Sequence, residues 1–317
     1  MPELPEVETV VRELRPLLKN KIIKDVRILM PKIVAMGPGT LSNLRQPSAG
    51  LAQAFAKTLK GKKFTNVSRR AKMIIMDLAG KPARLNDSSR SGGYAILVHL
   101  KMTGQLIFLD RKHLDKQIRL LNIETLKPLN LPAKSTHVIF EFTDGSRLFY
   151  NDFRQFGYLK LVTDLELPHV KELQDYGPEP LEKKFTLAVL QSILNKRPKA
   201  KLKQFLLEPN LIAGIGNIYS DEILFYAKVR PWRQVKSLKD FERKKLFLGI
   251  KKVLTDAVNH HGSSVGDFVR PDGDWGTYGK IHMVYGRAGD KCKVCGTIIK
   301  SLKLGGRTSS YCPKCQK

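Results

Sequence analysis

The sequence predicts an α+β multidomain protein: an N-terminal antiparallel β-sandwich with a docked N-terminal helix, then a C-terminal helical domain, then a four-Cys β-hairpin. Three observations carry this. Short apolar stretches separated by turn signals fill residues 1 to about 163, helical periodicity replaces them beyond about 183, and all four cysteines fall after position 290. At 317 residues the chain is long enough for more than one core.

In chain order, Pro5 followed by Val7, Val10, Val11, Leu14 and Leu18 at helical spacing marks a first helix with proline early in it. Residues 22–30 and 63–80 read as strands, the second holding the basic pair Arg69-Arg70 and Lys72. Tyr94–Leu100 is a further strand, leading into Lys101-Met102-Thr103-Gly104 before apolar character resumes at Leu106–Leu109. His137–Phe142 alternates, Asp144-Gly145 is a hairpin turn, and Arg147–Tyr150 resumes the strand pattern. The β domain therefore spans 1–163. Two stretches interrupt it and read as insertions: 81–93, polar and rich in Gly and Ser, and 110–135, basic with two prolines. A shift to Pro, Glu and Gly over 164–182 reads as a linker.

Beyond the linker, Phe185–Leu194, Lys201–Leu207, Ile218–Tyr226 and Phe241–Val258 have helical spacing, giving a helical domain over 183–289. Within it, Leu211-Ile212-Ala213-Gly214-Ile215-Gly216-Asn217 sets backbone N–H groups and the Asn217 side chain at a helix start, which suits a phosphate or a plain cap. His260–Lys280 holds seven glycines or serines and reads as a mobile loop. In the last segment, 290–317, Cys292-x2-Cys295 and Cys312-x2-Cys315 stand sixteen residues apart. That spacing fits one structural Zn2+ held by four thiolates.

Charge narrows the partner. There are 56 Lys and Arg against 29 Asp and Glu, a formal +27 spread along the chain, so a polyanion is the natural partner. Residues 291–317 alone carry seven Lys or Arg and no acidic residue. Arg307 lies among them after Gly305-Gly306, where a hairpin tip is expected. Without a membrane-length apolar run or a signal-peptide pattern, the chain reads as soluble and intracellular.

The first residues suggest chemistry. A small residue at position 2 is the usual signal for removal of the initiator Met, which would leave Pro2 as a secondary amine able to attack a carbonyl carbon and form a Schiff base. Glu3 could then move protons. The plainer reading is a helix start whose Glu3 and Glu6 complement the helix dipole.

Taken together, an ordered set of motifs resembles the bacterial formamidopyrimidine-DNA glycosylase family over nearly the whole chain. They are Pro2-Glu-Leu-Pro-Glu-Val-Glu8, Arg69-Arg-Ala-Lys72, His99-Leu-Lys-Met-Thr-Gly104, Asp152-Phe-Arg-Gln-Phe-Gly157, Gly177-Pro-Glu-Pro-Leu181, Gly214-Ile-Gly-Asn-Ile-Tyr219, Val284-Tyr-Gly-Arg287 and the four-Cys motif. The resemblance implies a helix-two-turns-helix arrangement in the helical domain and a base-excision-repair enzyme, a bifunctional DNA glycosylase and abasic-site lyase. Pro2 would be the nucleophile at C1′ of an oxidised purine nucleotide, such as 8-oxoguanine or a formamidopyrimidine, and Glu3 the general acid/base. Lys72 would assist, and Arg307 would serve elimination and phosphate binding. Met102, Arg154 and Phe156 would fill the gap left by the extruded nucleotide, Lys203 and Asn217 would lie near lesion phosphates, and the loop at about 260–280 would close over the flipped base. Such an amine mechanism needs no catalytic metal.

The implied partner is double-stranded DNA with oxidised bases or abasic sites, met by a monomer in the bacterial cytoplasm and nucleoid. Two departures stand out. Ser135 replaces a family histidine, and Gln155 stands where a second arginine is common. Competing readings are an endonuclease VIII-like enzyme for oxidised pyrimidines, against which Leu4 argues, and a non-catalytic DNA-binding protein, against which the intact Pro2-Glu3 argues.

Overall fold

A computed structural model describes residues 2–40, 49–79, 92–111 and 131–317, so most of 81–93 and 110–135 lies outside the described residues. The chain divides into two compact units. The first holds Pro2, the described parts of 6–174, and Ser264–Gly276; the second holds Glu3–Pro5, Asp175–Ser263 and Thr277–Lys317.

The first unit is a β-sandwich. Helix α1 (Leu4–Leu18) leads to β1 (Ile23–Ile28), β2 (Val34–Met36), α2 (Ala49–Leu59), β3 (Lys63–Arg70) and β4 (Met73–Ala79). Next come β5 (Tyr94–His99), β6 (Gly104–Leu109), β7 (Thr136–Phe142), β8 (Arg147–Asp152) and β9 (Tyr158–Thr163). One sheet has the order β1-β7-β8-β6 and the other β2-β9-β5-β4-β3. All pairings are antiparallel except β2 with β9, which the expectation of an antiparallel sandwich did not include.

The apolar stripe of α1 explains why a helix docks here. Val7, Val10, Val11, Leu14 and Leu18 are buried in one core with Phe140 and Tyr150 of one sheet and Met76 and Leu159 of the other. Helix α2, not anticipated from the sequence, adds Phe55 and Leu59 to that core. Its signal is the spacing of Ala52, Phe55 and Leu59, which three alanines and polar residues dilute.

Strands β5, β7 and β9 are buried almost continuously rather than alternately. The cause is that both sheets are also covered on their outer faces. Leu167, Val170 and Leu173 cover Ala95, Leu97, Tyr158 and Val162, so residues 164–174, expected to be linker, pack as part of the β unit. Three apolar anchors three residues apart do this within a polar composition. A 3-10 turn (Leu167–His169) and the short helix α3 (Lys171–Gln174) carry them.

The other sheet is covered by 264–276, the core of the expected mobile loop. Val269 and Trp275 pack on Ile107, Ile139 and Phe149, and Phe268 enters the main core. Polar contacts fix the loop further: Phe108 N donates to Pro271 O (2.9 Å), Gln105 Nε2 to Asp267 O (2.6 Å), and Arg270 Nε to Glu13 Oε1 of α1 (2.8 Å). Its glycines and serines suggested mobility, but three apolar anchors and an ion pair order it.

The second unit contains α4 (Leu187–Lys196), α5 (Leu202–Leu207), α6 (Asn217–Tyr226), α7 (Asp240–Asn259) and the hairpin of β10 (Lys300–Leu304) and β11 (Arg307–Tyr311). Helix α4 starts where Thr186 Oγ1 accepts from Val189 N (3.3 Å), a side-chain cap. Leu202, Phe205, Ile212, Tyr219, Ile223, Leu246, Ile250 and Leu254 make its core. Among the described residues no helix is long and apolar enough to cross a membrane.

The docked loop yields a prediction. Chymotrypsin should cut slowly after Phe268 and Trp275 in the wild type and several-fold faster in Glu13→Gln, which removes the charge that holds Arg270. Mass spectrometry of timed digests measures this; equal rates would show that the ion pair does not hold the loop.

Candidate functional site

The N-terminal residues meet the start of α6. Glu3 is buried, and its carboxylate accepts hydrogen bonds from Ile218 N (2.9 Å) and Tyr219 N (3.4 Å), two of the N–H groups a helix start leaves unpaired. Leu4 N donates to Gly214 O (3.1 Å) alongside. Both glycines of Gly214-Ile-Gly216 are explained by this approach. A Cβ on Gly216 would lie 2.2 Å from the Glu3 Cδ, and one on Gly214, which has φ +82°, would lie 2.8 Å from the Leu4 side chain. The anion at this helix start is thus a side chain of the chain itself, where the sequence suggested a phosphate or a plain cap.

Asn217 opens α6. Its Oδ1 is buried without a hydrogen-bond partner, while its side chain reaches the Tyr285 hydroxyl. Behind it, Lys203 of α5 is fully buried: its ammonium bonds Asp221 Oδ1 (2.6 Å) and lies 3.3 Å from Asn217 O. Burial, the largest influence, lowers the Lys203 ammonium from its usual value, and the attraction of Asp221 opposes it. Asp221 also accepts from Ser309 Oγ (2.6 Å) and Ser310 N (2.9 Å) of β11. The expected phosphate contact of Lys203 therefore has no exposed ammonium to make it. The residue instead joins α5, α6 and the hairpin that carries Arg307.

Arg307 is exposed at the start of β11, paired with Leu304 across a tip in which Gly305 (φ +59°) and Gly306 (φ +76°) both occupy the left-handed region. Sequence reading missed the part played by Glu222. This buried carboxylate accepts from the backbone N–H groups of Met283, Val284 and Tyr285 (2.9, 2.9 and 2.8 Å), which accounts for the Val284-Tyr-Gly-Arg287 motif. Arg287 completes the junction by donating to Met283 O (2.8 Å) and Lys291 O (2.8 Å).

The cysteines converge. The sulfurs of Cys292, Cys295, Cys312 and Cys315 all lie within 4.8 Å of one another, with Cys292–Cys315 at 3.9 Å and Cys295–Cys312 at 3.5 Å. Four ligands at the usual zinc–sulfur distance of about 2.3 Å in a tetrahedron stand about 3.8 Å apart, so this set fits one structural zinc. Val294 N and Cys315 N each point at a sulfur (3.4 Å), the backbone support thiolates need.

In the first unit, Pro2 is buried and Lys72 sits in the two-residue turn between β3 and β4, after Ala71, whose φ of +52° is unusual for a residue with a Cβ. His99 pairs with Met73 across the sheet, beside that turn. Its Nδ1 accepts from Lys101 N (2.9 Å), and burial first, then the Lys101 and Lys72 charges, hold its imidazole down at about 3.

Met102, Arg154 and Phe156 come together. Arg154 Nη1 lies 2.9 Å from the Met102 sulfur, and its guanidinium stands over the Phe156 ring at 4.8 Å. Asp152, fully buried, shapes this turn by accepting from Thr103 Oγ1 and from Gly157 N (2.7 Å), while Thr103 Oγ1 accepts from Arg154 N (2.9 Å). Gln155 occupies the left-handed region at φ +57°, and Ser135 contributes its carbonyl to Asp152 N (2.8 Å). Phe156 is 50% exposed and its neighbour Phe153 80%, the latter not singled out from the sequence. Aromatic surface left bare beside an arginine suits nucleobases.

Family models match three segments: the formamidopyrimidine-DNA glycosylase N-terminal domain over residues 1–159, its H2TH domain over 176–269, and the zinc finger found in FPG and IleRS over 289–317. The formamidopyrimidine-DNA glycosylase of Pelotomaculum thermopropionicum is 36% identical, with 100% of this chain and 99% of that protein covered. That of Bacillus cereus is 35% identical over the same shares. Among solved structures, a Lactococcus lactis relative in complex with abasic-site DNA has a TM-score of 0.79 at 28% identity, covering both chains fully. The same relative bound to DNA containing an oxidised pyrimidine has a TM-score of 0.78 at 30% identity, again covering both chains fully.

Two outcomes follow from the geometry. Gly216→Ala forces the Glu3 carboxylate off the α6 N-terminus and should cost about 1–3 kcal/mol of stability, measured by denaturant unfolding. Stability should also fall with acid. Folded His99 titrates at about 3 and unfolded histidine near 6.5, so only the unfolded chain gains a proton at this residue as pH drops below about 6.5. The loss reaches about 1.4 kcal/mol at pH ~5.5 and grows until pH nears 3. His99→Asn should remove that share of the slope in melts at pH ~7 and ~5.5.

Proposed function

The chain belongs to the formamidopyrimidine-DNA glycosylase family, a DNA-binding repair glycosylase with one structural zinc, and from that premise we propose that it excises oxidised purines and then cleaves the abasic strand through an amine at Pro2. The observation that carries the reading is the placement of Pro2-Glu3: Glu3 is held by two N–H groups at the start of α6, which fixes the residue beside the amine.

With the initiator Met removed, the Pro2 nitrogen forms a bond to C1′ of an extruded nucleotide as the bond from C1′ to the base breaks. The departing base takes up a proton. Glu3 manages protons at the opening sugar, and the resulting Schiff base makes the C2′ hydrogen acidic. Its removal expels the 3′ phosphate and leaves a conjugated imine, and loss of a second proton, from C4′, then expels the 5′ phosphate, with no water attacking phosphorus. Lys72 and the exposed Arg307 supply positive charge for phosphates, and Asn217, at the start of α6, holds a flanking phosphate. The zinc fixes the fold of the hairpin that carries Arg307.

A base in a duplex is beyond reach, so flipping must be supported. Met102 and Phe156 stack on the base pairs beside the gap, Arg154 contacts the opposite strand, and together they offset part of the unstacking cost of roughly a few kcal/mol. Lys203 acts through Asp221 as a positioning residue for Arg307 and Asn217. The 264–276 loop covers the extruded base. The enzyme works as a monomer in the cytoplasm, on lesion-bearing or abasic double-stranded DNA. A second reading, action on oxidised pyrimidines, has the support of the Lactococcus lactis relative bound to such DNA.

Borohydride trapping tests the chemistry. Wild type should crosslink to 8-oxoguanine and abasic-site DNA, a form retaining Met1 should bind without crosslinking, and Pro2→Gly should crosslink less. Equal trapping by all three, or by none, rules out the N-terminal amine. Parallel excision assays on oxidised pyrimidines decide between the substrate readings. Arg154→Ala should flatten the slope of log K against log salt by about one unit if it neutralises a phosphate.

A further inference from the structure

The far end of α6 carries a feature the proposed chemistry does not use. A hollow of about 490 Å³ opens there, floored by Phe225 and walled by Tyr226, Leu248 and Val294. Its volume is in the range of ligand-binding pockets. Three of these side chains are bare: Tyr226 is 43% exposed, Leu248 44% and Val294 63%. Phe241, 57% exposed, extends the apolar strip along α7, because positions 241, 245, 248 and 252 share one helix face. Adjacent exposed apolar side chains of this size mark an interaction surface.

The rim is basic. Lys228 and Lys245 line the hollow, Lys245 Nζ stands 5.6 Å over the Phe241 ring, and among the described residues no Asp or Glu lines it. We propose that this hollow is a docking site for an acidic protein segment that inserts a bulky apolar side chain between Tyr226, Leu248 and Val294 while its carboxylates face Lys228 and Lys245. Charge selects this occupant over a second copy of the chain, since copies at +27 repel and would bring lysines against lysines. The apolar floor selects it over a phosphate backbone, which offers nothing to bury there.

The location suits a partner that leaves the chemistry free. Phe225 and Tyr226 close the ten-residue α6, so they lie about 14 Å along the helix from Asn217 and the Glu3 carboxylate. Cys315 lines the hollow too, which places it at the cysteine end of the finger, while Arg307 is at the hairpin tip, the other end of a five-residue strand.

The test uses the full-length, zinc-loaded protein and a fluorescein-labelled peptide of four aspartates followed by Leu-Leu-Phe, read by fluorescence anisotropy. Saturable binding is expected. The double substitution Leu248→Ser with Val294→Ser should weaken it at least about tenfold, and Lys228→Glu with Lys245→Glu should do the same. All four positions are exposed, so folding survives; unchanged melting curves and unchanged borohydride trapping verify that. A peptide with serines in place of Leu-Leu-Phe should bind at least about tenfold more weakly. Equal binding of the serine peptide would overturn the proposal, as would absence of saturable binding. Two further results would reassign the surface: loss of affinity for undamaged duplex DNA in the Leu248→Ser, Val294→Ser protein, making it a DNA contact, or a wild-type dimer in sedimentation that this protein cannot form.

Discussion

A carboxylate set at the open end of a short helix is the constraint from which the candidate site follows. Glu3 satisfies two backbone donors of α6, and in exchange the helix dipole fixes the side chain next to Pro2. Chain termini are ordinarily loose. Here Glu3 is buried, Leu4 N is bonded to Gly214 O, and α1 is anchored by five buried apolar residues. The glycines at 214 and 216 exist because the first residues lie against them. The reaction proposed at Pro2 needs that residue held in one place, and these contacts hold its neighbours Glu3 and Leu4.

Much of this was legible in the sequence. The helices of the second unit, the strands on either side of Asp144-Gly145 and the four-Cys set could be read directly, since each has a local signature: 3.6-residue periodicity, a turn dipeptide, a ligand spacing. What could not be read depends on partners distant in sequence. Residues 167–173 look like linker until the outer face of a sheet needs covering, and 264–276 looks mobile until Phe268, Val269 and Arg270 find partners. Parallel pairing of β2 with β9 joins segments more than a hundred residues apart. No local pattern encodes it.

The site residues divide the same way. Met102, Arg154 and Phe156 were named from motifs and do come together, because Asp152 and Thr103 bind the two turns to each other. Lys203 was named as a phosphate contact, yet a lysine in a sequence carries no mark of whether an aspartate will meet it. Asp221 does, and so a basic residue becomes an internal strut. Glu222 shows the reverse: an acidic residue in a basic chain, unremarkable in sequence, organises three successive backbone donors.

The Asp221 contacts with β11 set a limit on how the finger can vary. Ser309 and Ser310 are held by one carboxylate, and Arg307 precedes them on the same strand, so the number of residues between is a ruler. One residue more or fewer would shift the arginine by about 3.3 Å and turn it to the opposite face of the hairpin. The stretch between Cys292 and Cys295 is under no such measure beyond the spacing the metal sets. The finger thus combines a strand whose length is fixed by Asp221 with a cysteine loop whose side chains neither Asp221 nor the metal constrains, and Val294, bare at the cysteine end, belongs to the second.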